Sequence, residues 1–456
     1  MSNVQEFGAK GDGKTVDTRA IQHAAKTGDG LLHFPKGTYI LDKTIEISAT
    51  KNGPVGIDGS HGTARVLMVG GGPAFRVVGS HGGTGDPSTL KPVVWNNERM
   101  PTIQNIVIEG RHAEADGVQM LETMQCVFEG VLIRRVRHGI HLHRRNRNVL
   151  ISHCHIYFNS GVGVFLDRVN LHQINIASNH ISYNRLGGIR LQGSEVRNLQ
   201  ITGNDIEYNN HAQHRTKPEP TAEIYVDVTQ DGDSVNEITV ASNTIQATSS
   251  PGGANIRIIE DRKGRSRPPG LWTITGNIIG SQENNVHLTG CHGMVISGNS
   301  IYSCDQYNIL AKDCDHMSIC GNSFRRHTGN KYAGVRLEHS RNCTVQGCVF
   351  EDESKMGQAS KKSLLELDHC KSVTVSGCQV IGGVPYGIHA QNSSMVNISG
   401  CSIHDPRAVK KTKAGIVFAG SGKANLVALN TIGKDSLKPI LVSPKSNVKL
   451  HENVIG

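Results

Sequence analysis

The sequence has few aromatic residues and no long apolar run, and each shortage excludes a class of protein. Phe, Tyr and Trp make up 4% of the chain and apolar residues 37%, which is less than helical or doubly wound proteins normally carry. No apolar stretch approaches the roughly 20 residues of a membrane span, so no membrane partner is expected. No aromatic stacking platform accompanies the basic residues, and this disfavours nucleic acid as a partner.

Disulfide frameworks, metal clusters and secretion signals are missing as well. The chain has 11 cysteines, and an odd number excludes complete pairing. No CxxC pair or Cys/His cluster indicates a metal site, so none is predicted. The N-terminus shows no signal peptide. We expect an extracellular or periplasmic protein whose signal is not visible in this chain, and a cytoplasmic location stays open.

Glycine is abundant, with 52 residues, and much of it stands in a repeat. An apolar-x-apolar-x-Gly-Asn unit recurs about every 22 to 30 residues, with Cys in place of Asn in several later copies. Between copies lies a second strand of the form Gly/Asn-apolar-x-apolar, as in Gly188-Ile189-Arg190-Leu191. Two period-2 strands per repeat predict one coil of a solenoid. The repeat positions include Asn204, Asn277, Asn299, Asn322, Cys348, Cys378 and Cys401.

The predicted fold is all-β: a single-stranded, right-handed parallel β-helix of about 12 coils with a short N-terminal capping helix. We expect one domain over 1–456, with a cap segment at 1–50, coils over 51–456, and insertions at 209–221 and 260–269. The repeated Asn predicts a buried ladder of side-chain amides. Cys at the same position predicts a small buried filler.

Residues 8–15, GAKGDGKT, match the P-loop pattern G-x-x-x-x-G-K-[ST] and precede a helical stretch from Thr18 to Ala25. A P-loop belongs to a strand–loop–helix unit in an alternating βαβ fold. No such alternation follows here, so nucleotide binding is rejected.

The segments Phe7-Gly8-Ala9-Lys10-Gly11-Asp12-Gly13, Asp17-Thr18, Ala20-Ile21-Gln22 and Phe34-Pro35-Lys36-Gly37-Thr38-Tyr39 together resemble a known N-terminal signature. It is that of the pectate-lyase-like superfamily, which includes pectate-lyase-related proteins, polygalacturonase-like enzymes and phage tailspike depolymerases. Val16 stands where Asp is usual. The resemblance implies a capping helix over the first coil and a glycan-binding face. Since tailspikes of this superfamily usually form trimers, it also implies a monomer or a homotrimer.

Outward-facing residues of the second strands line up in columns, with neighbouring members about 4.8 Å apart. From residue 140 to residue 258 these columns are crowded with His, Arg, Tyr and carboxylate. The insertions at 209–221 and 260–269 fall in the same region, and loops of that length commonly wall a binding cleft. The candidate catalytic residues are His141, His143, Asp167, Arg190, Tyr225 and Asp227. The candidate substrate-binding residues are Arg144, Arg168, Gln192, Glu223, Arg257, Glu260 and His287.

The net charge of +9 favours an acidic polysaccharide or oligosaccharide as the partner. Cleavage by β-elimination needs a base, a cation to neutralise the uronate carboxylate, and an acid for the leaving oxygen. Arg190 or Arg257 fits the cation, and His143 or Tyr225 fits the proton transfers. The main prediction is therefore a polysaccharide lyase. A C5-epimerase would use nearly the same residue types.

Two further classes stay open. A glycoside hydrolase would use Asp167 and Asp227, two rungs or about 9.6 Å apart, where inverting enzymes separate their carboxylates by about 6.5–9.5 Å. The Asn-Thr-Asp, Asp-Asp, Gly-His-Gly and Arg-Ile-Lys motifs of polygalacturonases are absent, which disfavours that assignment. A calcium ion held by Asp167, Asp227 and Glu223 is the cofactor left open. From a different class, a non-catalytic, tailspike-like glycan-binding module is the other alternative.

Overall fold

A computed structural model describes residues 1–456 except 85, 211–220, 231, 261–267, 328–331, 333, 353–361 and 435–437. The chain divides into two compact units, Met1–Thr216 with Ala222–Thr239, and Val240–Gly456 with Lys217–Thr221. Most of both predicted insertions lies outside the described residues, so their role as cleft walls stays a prediction. The single domain over 1–456 also stays a prediction.

Three α-helices and two 3₁₀-helices are described, at Thr18–Thr27, Ala49–Asn52, Pro92–Asn97, Pro87–Thr89 and Pro444–Ser446. The Thr18–Thr27 helix buries Ile21, Ala24 and Ala25. Its Gln22 side chain bonds both the main-chain oxygen and the main-chain nitrogen of Glu46, each at 2.9 Å. It thereby occupies backbone groups of a strand edge that would otherwise be open. The predicted helix is confirmed. No helix in the described residues is long and apolar enough to cross a membrane.

In the first unit the strands stack in three columns, called columns 1, 2 and 3, and pair in parallel within each column. Column 1 holds Ser2–Asn3, Leu31–His33, Gly56–Asp58, Thr102–Gln104, Val127–Glu129, Val149–Ser152, Asn170–Ala177, Glu195–Thr202 and Ser234–Ala241. Column 2 holds Asp12–Val16, Gly37–Leu41, Ala64–Met68, Val107–Gly110, Leu132–Arg134, His155–Tyr157, His180–Ser182 and Asp205–Glu207. Column 3 holds Ile45–Ser48, Gly72–Val78, Ala115–Leu121, Ile140–His143, Val164–Asp167, Ile189–Gln192 and Ala222–Asp227.

The second unit repeats this order, and two of its strands, Ile278–Thr289 and Ser300–Lys312, run from column 2 into column 3. Its column 1 holds Gly270–Thr275, His292–Ser297, Ser318–Cys320, Arg341–Gln346, Lys371–Ser376, Ser394–Ser399, Asn425–Ala428 and Val448–His451. Its column 2 adds Thr244–Gln246, Ser323–Arg325, Val349–Glu351, Gln379–Ile381, Ser402–His404, Thr431–Ile432 and Val454–Ile455. Its column 3 adds Ala254–Ile259, Val335–Glu338, Leu365–Asp368, Tyr386–Gln391, Ala414–Ala419 and Lys438–Val442.

The predicted class, an all-β parallel solenoid, is confirmed, but the predicted number of coils was too low. The chain makes about 16 turns rather than about 12. The shortfall lies in the early turns, because strands such as Gly56–Asp58 and Val127–Glu129 are not followed by Gly-Asn and give no repeat signal. In most of the described turns the alternate apolar side chains of short strands point inward. Ile140 and Leu142, for example, are fully buried while His141 and His143 are partly exposed.

The predicted asparagine ladder is present. In the second unit the Asn277 amide donates to the Asn299 carbonyl at 2.9 Å, and Asn299 donates to Asn322 at 2.9 Å. Each also caps a main-chain carbonyl, as Asn299 caps that of Ile274 at 2.9 Å. Buried amides are thus satisfied along the stack, as burial of polar groups requires. Cys348, Cys378 and Cys401 are buried at the corresponding turns, so their prediction as buried fillers is confirmed.

The P-loop-like segment folds around carboxylates of the chain itself. The Lys10 and Gly11 amides donate to Asp17 at 2.6 and 3.1 Å. The Lys14 and Thr15 amides donate to Asp12, both at 2.8 Å. A phosphate loop must present such amides to its ligand, whereas here they serve to shape the cap.

Candidate active site

Four neighbouring strands of column 3 in the first unit carry the candidate catalytic residues. Their register aligns His141, Phe165, Arg190 and Tyr225 in one row. A second row two residues further along consists of His143, Asp167, Gln192 and Asp227. Alternation turns the members of both rows away from the apolar core. The expected alignment of rungs is therefore confirmed for these residues.

Asp167 joins two histidines. Its Oδ2 lies 3.1 Å from Nε2 of His141 and 3.1 Å from Nδ1 of His143. The same Nδ1 lies 3.1 Å from the main-chain oxygen of Asp167. A carbonyl oxygen only accepts hydrogen bonds, so Nδ1 of His143 carries the proton. Its Nε2 then presents a lone pair, and that atom has no hydrogen-bond partner among the described residues.

His141 is oriented from the opposite side. The Gln119 amide nitrogen lies 3.2 Å from Nδ1 of His141, and Nε of Arg76 donates to the Gln119 oxygen at 2.7 Å. Because an arginine can only donate, the Gln119 amide must present its nitrogen to His141. Nδ1 of His141 therefore accepts, and Nε2 donates to Asp167. We call this chain of five side chains, Arg76, Gln119, His141, Asp167 and His143, the histidine relay.

The relay keeps its carboxylate ionised. Burial of Asp167 would raise the pKa of its carboxyl group, but the hydrogen bond from His141 and the charges of His141, His143 and Arg168 outweigh burial and lower the pKa overall. Nη1 of Arg168 lies 3.6 Å from the second carboxylate oxygen. An ionised carboxylate stabilises an adjacent imidazolium. His143 is thus equipped to take up a proton at Nε2.

A metal ion fits the relay poorly. The ligand atoms of His141, His143 and Asp167 all lie within 4.8 Å of one another, and nitrogen and carboxylate ligands suit zinc. A metal at Nε2 of His141, however, needs Nδ1 to carry the proton and donate it, whereas Gln119 fixes Nδ1 as an acceptor. The carboxylates considered for calcium do not converge. Asp227 bonds Thr229 at 3.1 and 2.7 Å, and Glu223 is fully buried against Asn209.

A second group of potential ligands, in the second unit, is also engaged within the chain. His292, Asp315 and His316 have ligand atoms within 4.8 Å of one another. Arg341 donates to Asp315 at 3.0 Å, and Asn342 donates to its other oxygen at 2.9 Å. The carboxylate is therefore already neutralised by a cation.

Arg190 lies two strands beyond His141 in the same row. Its guanidinium carbon sits 4.8 Å above the centre of the Tyr225 ring, a cation–π contact that holds the planar group in place. Its Nε is buried without a hydrogen-bond partner, and Arg190 forms no ion pair within the described part of the chain. A guanidinium with free donors suits a planar carboxylate, which it can bind through two hydrogen bonds.

The other predicted residues of the first unit are more dispersed. Arg144 and Arg168 are exposed, and Arg144 lies 3.5 Å from Glu122. Gln192 stands between Asp167 and Asp227 in the second row. Glu223 does not face solvent as expected, because its carboxylate closes a second, unpredicted asparagine ladder formed by Asn159, Asn184 and Asn209.

Three predicted substrate-binding residues belong to the second unit. Arg257 and Glu260 are 5% and 3% exposed, and Arg257 donates to the main-chain oxygen of Gly252. Burial lowers the pKa of His287 to about 4, and the charges of Arg257 and Lys312 act in the same direction.

Sequence reasoning missed Arg76, Gln119 and His138. The signal for Gln119 was present, since Gly117-Val118-Gln119-Met120 follows the same pattern as Gly139-Ile140-His141-Leu142. It was overlooked because a lone Gln does not indicate chemistry. His138 lies in a turn rather than a strand, where the column argument does not apply.

Two family models match the chain. A model described as "Rhamnogalacturonase A/epimerase, pectate lyase-like" matches residues 1–56. A model described as "Right handed beta helix region" matches 93–258, 226–397 and 358–456. Together these matches cover more than half of the chain.

Two curated proteins match the chain over short stretches. Alginate lyase 7 of Azotobacter vinelandii is 50% identical over 50 residues, which are 10% of this chain and 6% of that protein. A probable glucan endo-1,3-beta-glucosidase of Arthroderma benhamiae is 41% identical over 56 residues, 9% of this chain and 6% of that protein. The chain thus spans only a small fraction of the length of these curated relatives.

Solved structures share the fold over most of the chain. The Dettilon tailspike protein has a TM-score of 0.56 at 15% identity and covers 80% of this chain and 68% of its own. The tailspike gp61 of Pseudomonas phage phi297 has a TM-score of 0.51 at 11% identity, covering 94% and 80%. At these identities the likeness concerns the fold alone.

Proposed function

Because the chain belongs to the pectate-lyase-like, right-handed β-helix family, we propose that it is an enzyme acting on a uronate-containing acidic polysaccharide by β-elimination. The observation that carries this proposal is the unpaired Nε2 of His143, fixed as an acceptor by Asp167. The matched alginate lyase is in keeping with a glycan as the substrate. The net charge of +9 favours an acidic glycan over a neutral one.

Each step of the elimination has a residue suited to it. Nε2 of His143 takes the proton from the carbon next to the uronate carboxylate, and the freed electron pair forms a carbon–carbon double bond as the glycosidic C–O bond breaks. The imidazolium, stabilised by Asp167, returns its proton to the leaving oxygen. Arg190 binds the carboxylate and offsets the negative charge that builds up on it.

Hydrolysis has less support. Asp167 and Asp227 are two strands apart in the second row, about 9.6 Å by strand spacing. The general acid of a glycosidase needs a raised pKa, whereas the pKa of Asp167 is lowered. Asp227 bonds its own turn through Thr229. C5-epimerisation shares the proton abstraction with elimination, so the product distinguishes the two.

The test is an assay of the whole chain on a panel of uronate polymers. β-Elimination gives the ultraviolet absorbance of an unsaturated uronate. Epimerisation gives solvent deuterium at C5 without chain cleavage, and hydrolysis gives reducing ends without absorbance. Binding without any product would favour the tailspike-like module and overturn the proposal.

A pair of histidine variants locates the reaction. His143→Gln removes the base and is expected to lower kcat by about 10²–10⁴-fold. His153→Gln is the matched control, since that imidazole is 66% exposed and pairs with Glu129 away from the relay. Equal activity of the two variants would place the site elsewhere.

A further inference from the structure

His138 lies beside the relay without belonging to it. It precedes the strand Ile140–His143, and its ring centre is 5.8 Å from that of His141 and 5.1 Å from that of Phe165. The ring fills space left by Gly161, where a Cβ would come within 2.7 Å of Nδ1 of His138. The position of the ring is therefore set by packing on several sides.

The tautomer of His138 is fixed as well. The Val162 amide donates to its Nδ1 at 3.2 Å, so the proton of the neutral ring resides on Nε2. Nε2 has no hydrogen-bond partner among the described residues. His138 therefore presents a donor, whereas His143 presents an acceptor.

The ring of His138 stays neutral at ordinary pH. Its pKa is lowered to about 4, with burial as the largest cause; the charges of His141 and Arg137 act in the same direction, while Asp116 and Asp167 oppose them. Asp116 also holds the backbone, because it accepts from the His138 amide at 3.0 Å and is bound by Arg137 at 2.9 and 2.7 Å.

We propose that His138 is a catalytic hydrogen-bond donor, whose Nε2–H binds the substrate carboxylate while His143 removes the neighbouring proton. This inference rests on the proposed function. No covalent bond to His138 forms or breaks. Its hydrogen bond to the substrate strengthens as negative charge accumulates on the carboxylate oxygens. A neutral imidazole can polarise such a group without surrendering its proton. His138 and Arg190 together would offer two hydrogen-bond donors in fixed positions to the dianion that forms on the substrate as the proton leaves the carbon next to the carboxylate.

The test compares His138→Leu and His138→Gln in the whole chain on the polymer that the wild type cleaves or epimerises. Leu fills the space but donates nothing, so kcat is expected to fall about 10²–10³-fold with little change in KM. Gln restores an N–H donor and is expected to recover at least about tenfold of that loss.

The outcomes distinguish a failure of the proposed function from a failure of the donor role of His138. An inactive wild type on every uronate polymer would contradict the proposed function itself. An active wild type with His138→Leu within about threefold of it would overturn the donor role alone. NMR of the protein with ¹⁵N-labelled histidine, assigned by comparison with His138→Gln, checks the tautomer without activity. Nε2 protonated and Nδ1 unprotonated at pH 6 are expected, and a cationic ring at that pH would overturn the proposal.

Discussion

In column 3, Arg190 and His143 of the first unit leave hydrogen-bonding capacity unused, whereas Arg336 and the carboxylates around it in the second unit bond one another. In the first unit Arg190 has free donors above Tyr225, and His143 has a free lone pair. In the second unit Arg336 donates to Glu338 at 3.2 Å, to Glu366 at 2.9 Å and to Asp368 at 2.6 Å. Arg190, His143 and Arg336 all lie on column 3 strands.

The difference separates a reactive surface from a stabilising one. A charge that is fully bonded within the protein has little left to offer a ligand, whereas rigidly held groups without partners are typical of functional sites. In the second unit the Tyr307 hydroxyl adds a hydrogen bond to Glu366 at 3.0 Å. Arg336, Glu338, Glu366 and Asp368, here called the Arg336 cluster, thus satisfy one another, and we expect the chemistry at the histidine relay rather than at this cluster.

The largest expected effect comes from making the same substitution at two aspartates, one in each unit. Asp167→Asn removes the carboxylate charge that stabilises the His143 imidazolium, and we expect kcat to fall about 10³-fold, since that charge is costly to lose in histidine-based catalysis. Asp368→Asn is the matched control in the second unit and should leave kcat within about twofold of the wild type. Steady-state kinetics on the cleaved polymer measure both. A larger loss in Asp368→Asn would move the site to the second unit.

Arg190 tests the carboxylate contact. Arg190→Gln loses a charge-assisted pair of hydrogen bonds, and we expect kcat/KM to fall by about 10–10²-fold. Arg190→Lys keeps the charge but not the planar fork, so it should recover only part of the loss. The wild-type KM should also rise with salt more steeply than that of Arg190→Gln. Full activity of Arg190→Gln would show that this guanidinium does not bind substrate.

The fold could be predicted from the sequence because its signal is repeated. Each Gly-Asn turn has the same local geometry. Alternation in strands such as Ile189–Gln192 shows which side chains point inward and which outward without knowledge of the remaining structure. Turns lacking that motif, such as the one after Val127–Glu129, carried no such signal, and the number of coils was underestimated accordingly.

The candidate site could be predicted only in part. Register placed His143 beside Asp167, because both rows follow from strand alignment. Alternation alone could not foresee that Glu223 would close an asparagine ladder, since that depends on the Asn209 side chain, from the turn after the strand Asp205–Glu207. Nor could it find His138, whose role depends on a turn and on a single main-chain donor, Val162.

The smallest expected effect is on the free energy of unfolding and concerns the Arg336 cluster of the second unit. Arg336→Gln leaves Glu338, Glu366 and Asp368 close together without their shared cation. We expect the free energy of unfolding at pH 7 to fall by about 1–3 kcal/mol, with catalysis unchanged. Chemical denaturation measures the first quantity and steady-state kinetics the second.

The loss of unfolding free energy in Arg336→Gln should become smaller at acidic pH. Burial would raise the pKa of Glu338, but its bond to Arg336 and the nearby charges lower it overall. A carboxyl group with a lowered pKa stabilises the fold above its unfolded pKa, about 4.3, and that contribution disappears as pH falls through the folded value. The difference in unfolding free energy between wild type and Arg336→Gln should therefore stay nearly constant from pH 7 down to about pH 4.3 and narrow at lower pH. A gap that widened on acidification, or a loss of activity at pH 7, would mean that the Arg336 cluster is not the self-contained network that distinguishes the second unit from the first.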